Sequence, residues 1–291
     1  MQKYSCEALL GSGAYGEVYR ATNRQTGETS AIKKIKKRFP TWEECLQLRE
    51  LKALKTLKNH ENIVTLKELV REDGFLFFVF EFMPDGDMYQ RIQKAKTDVN
   101  QPLTTEVIRH YMKQIFAGLY HTHRNGFFHR DIKPENLLLK GSRVAISDFG
   151  EARMVRSISP CTTYVSTRWY RAPELLLGMK SYSSPIDIWA AGCILAELYT
   201  LKPFFPGQGE LDQLCQIFDI IGHPTAETWQ EGFHFISRID LKVSQSNKRS
   251  NSISSSSSSM GNIKHLPIME RLRLVIPQAP DTALQLLIEL F

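Results

Sequence analysis

The 291 residues predict an α+β protein of two lobes, with a small antiparallel β lobe carrying one main helix ahead of a larger, mostly helical lobe. Three observations carry this reading. Apolar and polar residues alternate in strand-like runs through the first 82 residues, a stretch from Thr41 to Leu57 interrupts them at helical spacing, and helical patterns dominate from Thr104 onward. A hydrophobic content of 42% is ample for a sizeable core.

Residues 4–21 alternate around Gly11-Ser12-Gly13-Ala14-Tyr15-Gly16. Asn23 to Gly27 then supply a turn before Thr29–Ile35 resume a strand, so the segment reads as a hairpin. Cys45, Leu48, Leu51, Leu54 and Leu57 recur every three residues behind Thr41, an N-cap ahead of Glu43 and Glu44, which predicts one helix over 41–57. Ile63–Val70 and Phe75–Phe82 read as two further strands, and the small lobe closes at Met83. The stretch Ser244–Asn262, with six consecutive serines at 254–259, has no apolar periodicity and is expected to be a disordered insertion. Leu284, Leu287, Ile288 and Phe291 mark the core face of a last helix.

The net charge of +6 comes from interspersed residues, so no nucleic-acid partner is expected. The five scattered cysteines lack metal or redox spacing and read as free thiols in a reducing compartment. There is no signal-peptide core or myristoylation site, and Glu81 and Glu197 break the apolar runs, so no membrane span is expected. The basic run Lys33 to Arg38 reads as the solvated end of a strand rather than a nuclear address.

The chemistry is concentrated in His129-Arg130-Asp131-Ile132-Lys133-Pro134-Glu135-Asn136, followed twelve residues later by Asp148-Phe149-Gly150. Phosphoryl transfer from a metal-bound nucleotide needs a base for the attacking hydroxyl and oxygen ligands for Mg²⁺. Asp131, Asn136 and Asp148 supply them, with Lys133 as an added cation. A lone Gly-x-Gly-x-x-Gly would also fit a dinucleotide fold, which needs a helix straight after the last glycine, yet Glu17 to Ala21 are strand-like. Gly11, Gly13 and Gly16 then lie over phosphates, and Lys33 on the next strand neutralises the α and β phosphates of ATP. Glu50 is its candidate ion-pair partner, the alternative being an ordinary exposed glutamate. Backbone groups of Glu81 and Met83 suit an adenine edge, Asp87 the ribose, and Phe80 narrows the rear of the pocket. Leu10, Val18, Ala31 and Leu138 complete the nucleotide set.

With these motifs, Ala172-Pro173-Glu174 and Asp187-Ile188-Trp189, the chain resembles a eukaryotic protein kinase over its full length. Trp169-Tyr170-Arg171-Ala172-Pro173-Glu174 and the insertion after Ile221-Gly222 resemble the CMGC group, which holds cyclin-dependent and mitogen-activated kinases. Thr41 to Cys45, Leu48-Arg49-Glu50 and Thr163 to Arg168 resemble the male-germ-cell-associated and intestinal-cell (RCK) branch. The resemblance implies a bilobal protein-kinase fold over 4–291 (lobes 4–83 and 84–291), ATP and Mg²⁺ as cofactors, and Ser/Thr hydroxyls of protein substrates, followed by proline, as acceptors. It also implies an upstream activating kinase, a cytoplasmic or nuclear location, and a role in cilium or flagellum length or cell-cycle control.

By the same resemblance Asp131 orients the hydroxyl, Lys133 steadies the transferring group, Asn136 and Asp148 hold Mg²⁺, and Thr167 braces the substrate-side loop. Thr162, Thr163 and Tyr164 are the phosphorylation candidates. Arg49, Arg130 and Arg153, taken as unpaired, would gather around phosphate on Thr162, and Arg168 and Arg171 around phosphate on Tyr164. Leu54, Leu66, His129 and Phe149 would stack above Asp187, with plain core packing an equal reading for the two leucines. Glu197 and Trp189 read only as core. Three departures stand out: Glu151 where an apolar residue is usual, Thr163 where an acidic one is, and no Asp-Pro or arginine after Phe291 to pair with Glu174. Leu287 and Phe291 are accordingly expected to be uncovered and Glu174 unpaired. The competing readings are a catalytically inactive kinase-like scaffold and a cyclin-dependent kinase; the sequence at Thr41 to Leu48 argues against a cyclin partner.

Overall fold

The computed structural model describes residues 1–13, 16–155, 168–237 and 265–291. They fall into two compact units, Met1–Pro102 with Arg109–Ser157, and Leu103–Ile108 with Ile158–Phe291. The expected Ser-rich insertion lies outside the described residues.

The first unit is built on a five-stranded antiparallel sheet of β1 (Tyr4–Ser12), β2 (Gly16–Asn23), β3 (Thr29–Arg38), β4 (Leu66–Glu72) and β5 (Phe75–Glu81), in the order β1-β2-β3-β5-β4. Val18 lies opposite Lys33, and Ala31 opposite Phe80, so residues expected at the nucleotide site share neighbouring strands. Gly16 is required by packing: a β-carbon there would lie 2.3 Å from the Lys34 carbonyl oxygen. β4 begins three residues later than the apolar run suggests, because Ile63 makes an isolated bridge to Ile146 instead of joining the sheet.

The expected single helix over 41–57 is two, α1 (Trp42–Leu46) and α2 (Arg49–Leu57), separated at Gln47 and Leu48. Thr41 caps α1 as expected, its hydroxyl accepting the Glu44 N–H, whereas Leu48 is extended at ψ 130°. The spacing explains the break. Apolar residues at strict intervals of three drift by about 60° per step around a helix of 100° per residue, so one straight helix cannot keep Cys45 and Leu57 on one face. Breaking at Leu48 lets Cys45, Leu51, Leu54 and Leu57 all be buried.

The remainder of this unit comprises α3 (Met88–Thr97), most of α4 (Thr105–Arg124), and the short strands β6 (Phe127–Phe128), β7 (Leu137–Lys140), β8 (Arg143–Ile146) and β9 (Arg153–Met154). β6 pairs with β9 and β7 with β8, holding the intervening loops at both ends. Asn62, buried ahead of β4, donates to Gln114 of α4 (3.0 Å) and to the Val144 carbonyl of β8 (2.8 Å).

In the second unit α5 (Pro173–Leu176), α6 (Pro185–Thr200), α7 (Glu210–Ile221), α8 (230–237), α9 (Ile268–Val275) and α10 (Asp281–Leu290) follow in order. α6 is apolar on nearly every face and buried almost throughout, as a central helix must be. The expectation that Leu287 and Phe291 are uncovered is overturned for Leu287 and in part for Phe291, which is half-buried. Leu287 is buried, and the Phe291 ring lies 4.8 Å from Trp189 and 5.7 Å from Phe205. Gly192 permits this contact, since a β-carbon there would lie 2.8 Å from the Phe291 ring. Nor is Glu197 merely core: it is buried and accepts the Tyr170 hydroxyl at 2.7 Å.

Cys6, Cys45, Cys193 and Cys215 are free thiols. Among the described residues no helix is long and apolar enough to cross a membrane.

Gly118 of α4 stands close to its neighbours. A β-carbon there would lie 2.9 Å from the Asn62 carbonyl oxygen and 2.8 Å from Ile146 Cδ1. Gly118→Ala is therefore expected to destabilise the first unit by about 1–3 kcal/mol despite the better helix propensity of alanine. Denaturant unfolding of the purified chain measures it.

Candidate active site

Lys33 projects from β3 and is buried between two carboxylates. Its Nζ lies 2.7 Å from Glu50 Oε1 and 2.8 Å from Asp148 Oδ1. Glu50 is thus a buried partner rather than an exposed glutamate. Burial is the largest single influence on all three groups. It is overcome at Lys33, whose pKa the two carboxylates hold above the ordinary lysine value, and at Asp148, which Lys33 holds below the usual carboxylate range. Glu50 sits deeper, and burial pushes its carboxyl up against the pull of Lys33.

The loop between β6 and β7 is organised by its own backbone. Arg130 takes a left-handed conformation (φ 75°), which turns the chain sharply before Asp131. The Asp131 N–H donates to His129 Nδ1 (3.2 Å), so the ring carries its proton on Nε2 and donates it to the Ser147 carbonyl (2.8 Å). Asp131 Oδ2 accepts from Lys133 Nζ at 2.7 Å and from Asn136 Nδ2 at 3.1 Å. Asn136 Nδ2 also bonds the Asp131 carbonyl at 2.7 Å, which commits its NH₂ and leaves its oxygen for a cation. Asp148 is again left-handed (φ 56°), turning Phe149 inward to meet the His129 ring edge-on at 4.8 Å. Leu54 is buried on α2 and Leu66 half-buried at the start of β4.

A cavity of about 510 Å³ opens beside these groups, within the usual range for a small-molecule site. Its walls include Leu10, Gly11, Val18, Ala31, Lys33, Glu50, Phe80, Glu81, Met83, Asp87, Asn136, Leu138 and Asp148. Gly13 and Gly16 do not line it; nor do Asp131 and Lys133. Asp87 also caps α3, accepting the Gln90 N–H at 2.8 Å, and burial raises its carboxyl pKa. The sequence reading missed Val64, Gln90, Lys94, Glu135 and Ser147 as wall residues. Gln90 and Lys94 follow Asp87 at helical spacing, a signal that was available; Val64 gave none.

Arg130, expected to be unpaired, instead faces Glu151, with Nη1 3.3 Å from its carbonyl and 3.7 Å from Oε2. The departure at Glu151 thus has a physical outcome: in a short 3₁₀ turn (Phe149–Glu151), its carboxylate faces an arginine that an apolar residue could not neutralise. Arg153 is buried on β9 and Arg49 exposed at the start of α2. Thr162, Thr163, Tyr164 and Thr167 lie outside the described residues.

In the second unit Arg168 donates to the Gln208 carbonyl (3.4 Å), and Trp169 Nε1 to that of Gly207 (3.2 Å). The buried Gln213 side chain closes the ring, accepting the Gly207 N–H (2.8 Å) and donating to the Trp169 carbonyl (3.3 Å). Arg171 follows directly on this braced segment. Burial raises the Glu174 carboxyl pKa.

Removing Lys33 should expose the linkage among its partners. Glu50, freed from the only cation bonded to it among the described residues, would rise further in pKa. A carboxyl whose folded pKa exceeds its unfolded value contributes stability below the unfolded pKa and loses it as pH rises through the folded one. Lys33→Met is therefore expected to lag the wild type in stability most near pH 7 and to recover part of the gap toward about pH 5. Denaturant melts at the two pH values measure this.

Comparison with known proteins agrees with the geometry. The protein kinase domain family matches residues 4–274. The serine/threonine-protein kinase ICK of Rattus norvegicus is 46% identical over 291 residues, covering 100% of this chain and 42% of its own length. Cyclin-dependent kinase F-3 of Oryza sativa subsp. japonica is 50% identical over 234 residues, 80% of this chain and 53% of that protein. The chain thus spans about half or less of the relatives it matches. A solved structure titled as the CAK complex from Chaetomium thermophilum bound to ATP-gamma-S aligns with a TM-score of 0.75 at 31% identity, over 99% of this chain and 85% of that one. The chain therefore belongs to the protein kinase domain family and is similar, within its CMGC group, to the RCK branch that includes ICK.

Proposed function

We propose that this chain transfers the γ-phosphoryl group of ATP to Ser or Thr hydroxyls of protein substrates. One observation carries the reading: a cation held by two carboxylates (Lys33, Glu50, Asp148) and a carboxylate held by a cation and an amide (Asp131, Lys133, Asn136) flank one nucleotide-sized cavity. Family membership supports it.

The donor set suits Mg²⁺. Among the described residues no cluster of three or more His, Cys, Asp or Glu could hold a metal alone. One carboxylate and one amide oxygen beside a cavity leave the other positions to phosphate and water, which a hard, reluctantly dehydrated ion prefers. Asp148 and the oxygen of Asn136 would hold it, and it would supply neutralisation of phosphate charge. Lys33 binds the α and β phosphates, and Glu50 holds its ammonium at the cavity wall beside them. Asp131, fixed by Lys133 and Asn136, accepts the proton of the attacking hydroxyl while Lys133 remains beside the transferring group. Because the Glu81 N–H is used by the Thr65 carbonyl (3.0 Å), the carbonyl of Glu81 and the N–H of Met83 are its offers to a purine.

The finer reading extends to proline after the acceptor residue, with Arg171 holding the neighbouring loop, and to activation by phosphate on Thr162, Thr163 or Tyr164. That extension rests on the resemblance of the motifs to the RCK branch, as do a role in cilium or flagellum length and a cytoplasmic or nuclear location, which tagged chain in ciliated cells would test. A second reading, control by a cyclin-type partner, is favoured by the name of the rice relative. It departs from the expectation drawn from Thr41 to Leu48, and co-purification with a cyclin would decide it.

Asp131→Asn and Asp148→Asn are each expected to abolish transfer to a Ser-Pro peptide, with Asp148→Asn also weakening Mg²⁺-dependent ATP binding. Radiolabelled transfer and calorimetry check the pair, and undiminished turnover in Asp148→Asn would remove the assignment. Phosphate on Thr162 is expected to raise turnover in wild type and to do so less in Arg130→Ala, since the dianion must displace Glu151 from that guanidinium. Equal activation in both chains would remove the arginine from the mechanism.

A further inference from the structure

We infer that Arg143 is a positioning residue for the purine end of the nucleotide site, acting through the carboxylate of Glu81. This rests on the nucleotide reading above. Glu81 is the last residue of β5, and no helix or strand follows until Met88. On one side its strand loses support early: β4 begins at Leu66, which pairs with Phe80, so the ladder ends one residue short of Glu81. The wall of the cavity from Glu81 to Met83 thus begins where the β4 ladder has ended and only the pairing with β3 remains.

Beyond that ladder Glu81 keeps its pairing with Ser30 and one backbone bond to the Thr65 carbonyl (3.0 Å), and Arg143 adds a side-chain restraint. Its Nη1 lies 2.7 Å from Glu81 Oε2 and its Nη2 2.8 Å from Oε1, a two-point fork. The same guanidinium donates to the Glu61 carbonyl through Nε and to the Ile63 carbonyl at 3.3 Å. Glu81 Oε1 also accepts the Thr65 N–H at 2.9 Å. One planar group therefore binds the strand end and the segment ahead of β4 together, which a lysine ammonium could not do with matched geometry. The Glu81 side chain is 13% exposed and that of Arg143 26%, so water screens the pair less than a surface pair. Burial opposes the charge on Glu81, yet Arg143 and Thr65 hold its pKa below the ordinary value.

The fork also connects two wall residues. Arg143 stands on β8, paired across to Lys140 of β7, and β7 carries Leu138, another wall residue. Glu81 and Leu138 are thereby tied through one ion pair and one two-strand ladder, and this linkage sets the width available to a flat purine. Arg143 does not itself line the cavity, and Lys33 and Asp148 owe it no contact. Its effect should fall on the base and spare the phosphates.

The test uses the full chain as wild type, Arg143→Ala, Arg143→Lys and Glu81→Gln. Adenosine probes the base end and inorganic tripolyphosphate the phosphate end by calorimetry, with KM for ATP and kcat measured alongside. Arg143→Ala is expected to weaken adenosine binding and raise KM about tenfold, while tripolyphosphate affinity and kcat change less than about twofold. Arg143→Lys and Glu81→Gln should fall between, losing the fork but keeping the charge or the shape. Unchanged adenosine affinity, or equal losses for both probes, overturns the inference. Should Arg143→Ala not fold, the other two variants decide by the same criterion. A folded wild-type chain that binds neither probe overturns the nucleotide reading and this inference with it; wild-type binding with indifferent variants overturns this inference alone.

Discussion

The ammonium of Lys33, 2.7 Å from Glu50 and 2.8 Å from Asp148, is the interaction on which the rest of the first unit depends. It joins a sheet strand, a helix and the turn after β8, three segments that local structure leaves independent. Taking such charges from water is costly, and a single buried ion pair often fails to recover that cost. Two carboxylates around one cation shift the balance, which is why the lysine remains charged while the more deeply buried glutamate is pushed toward its neutral form. Stability is the weaker explanation for such an arrangement; a poised group of charges beside a cavity suits a polyanionic ligand.

Around that triad, geometry is set by backbone rather than by side-chain packing alone. Two residues outside glycine, Arg130 and Asp148, occupy the left-handed region within the two segments that carry the reactive groups. Such conformations cost energy and persist where the surroundings determine them. Here His129 bridges both segments, taking the Asp131 N–H on one ring nitrogen and giving the other to the Ser147 carbonyl. A single imidazole thus ties together the segments of the two aspartates, and its edge contact with Phe149 keeps that ring in the core.

Much of this was legible in the amino-acid order. Four strand runs, the cap at Thr41, the pairing of Lys33 with Glu50 and most of the cavity wall follow from alternation, capping chemistry and motif spacing, which are local or carried by few residues, whereas the run over 4–21 is two strands, Tyr4–Ser12 and Gly16–Asn23. The misreadings share a cause. The helix over 41–57 breaks because a repeat of three cannot stay on one face. The strand at 63–70 starts late because Ile63 is claimed by Ile146, more than eighty residues away. Glu151 and Glu197 were read without partners, since nothing in their neighbourhood names Arg130 or Tyr170. The closing residues meet Gly192 and Trp189, a contact that nothing beside Phe291 in the sequence announces.

The sequence by itself determined the family, the alternation that builds the sheet, and the identity of the charged groups, because spacing along a chain records which residue types recur and which motifs they form. Beyond the expected pairing of Lys33 with Glu50, only the tertiary structure decided how those charges are shared. Lys33 shared between Glu50 and Asp148, Arg130 facing Glu151, and Arg143 gripping Glu81 each join residues separated by 17 to 115 positions, 21, and 62 positions. Coulomb attraction and desolvation act through space and depend on how much water a neighbourhood excludes, and no local pattern carries that information.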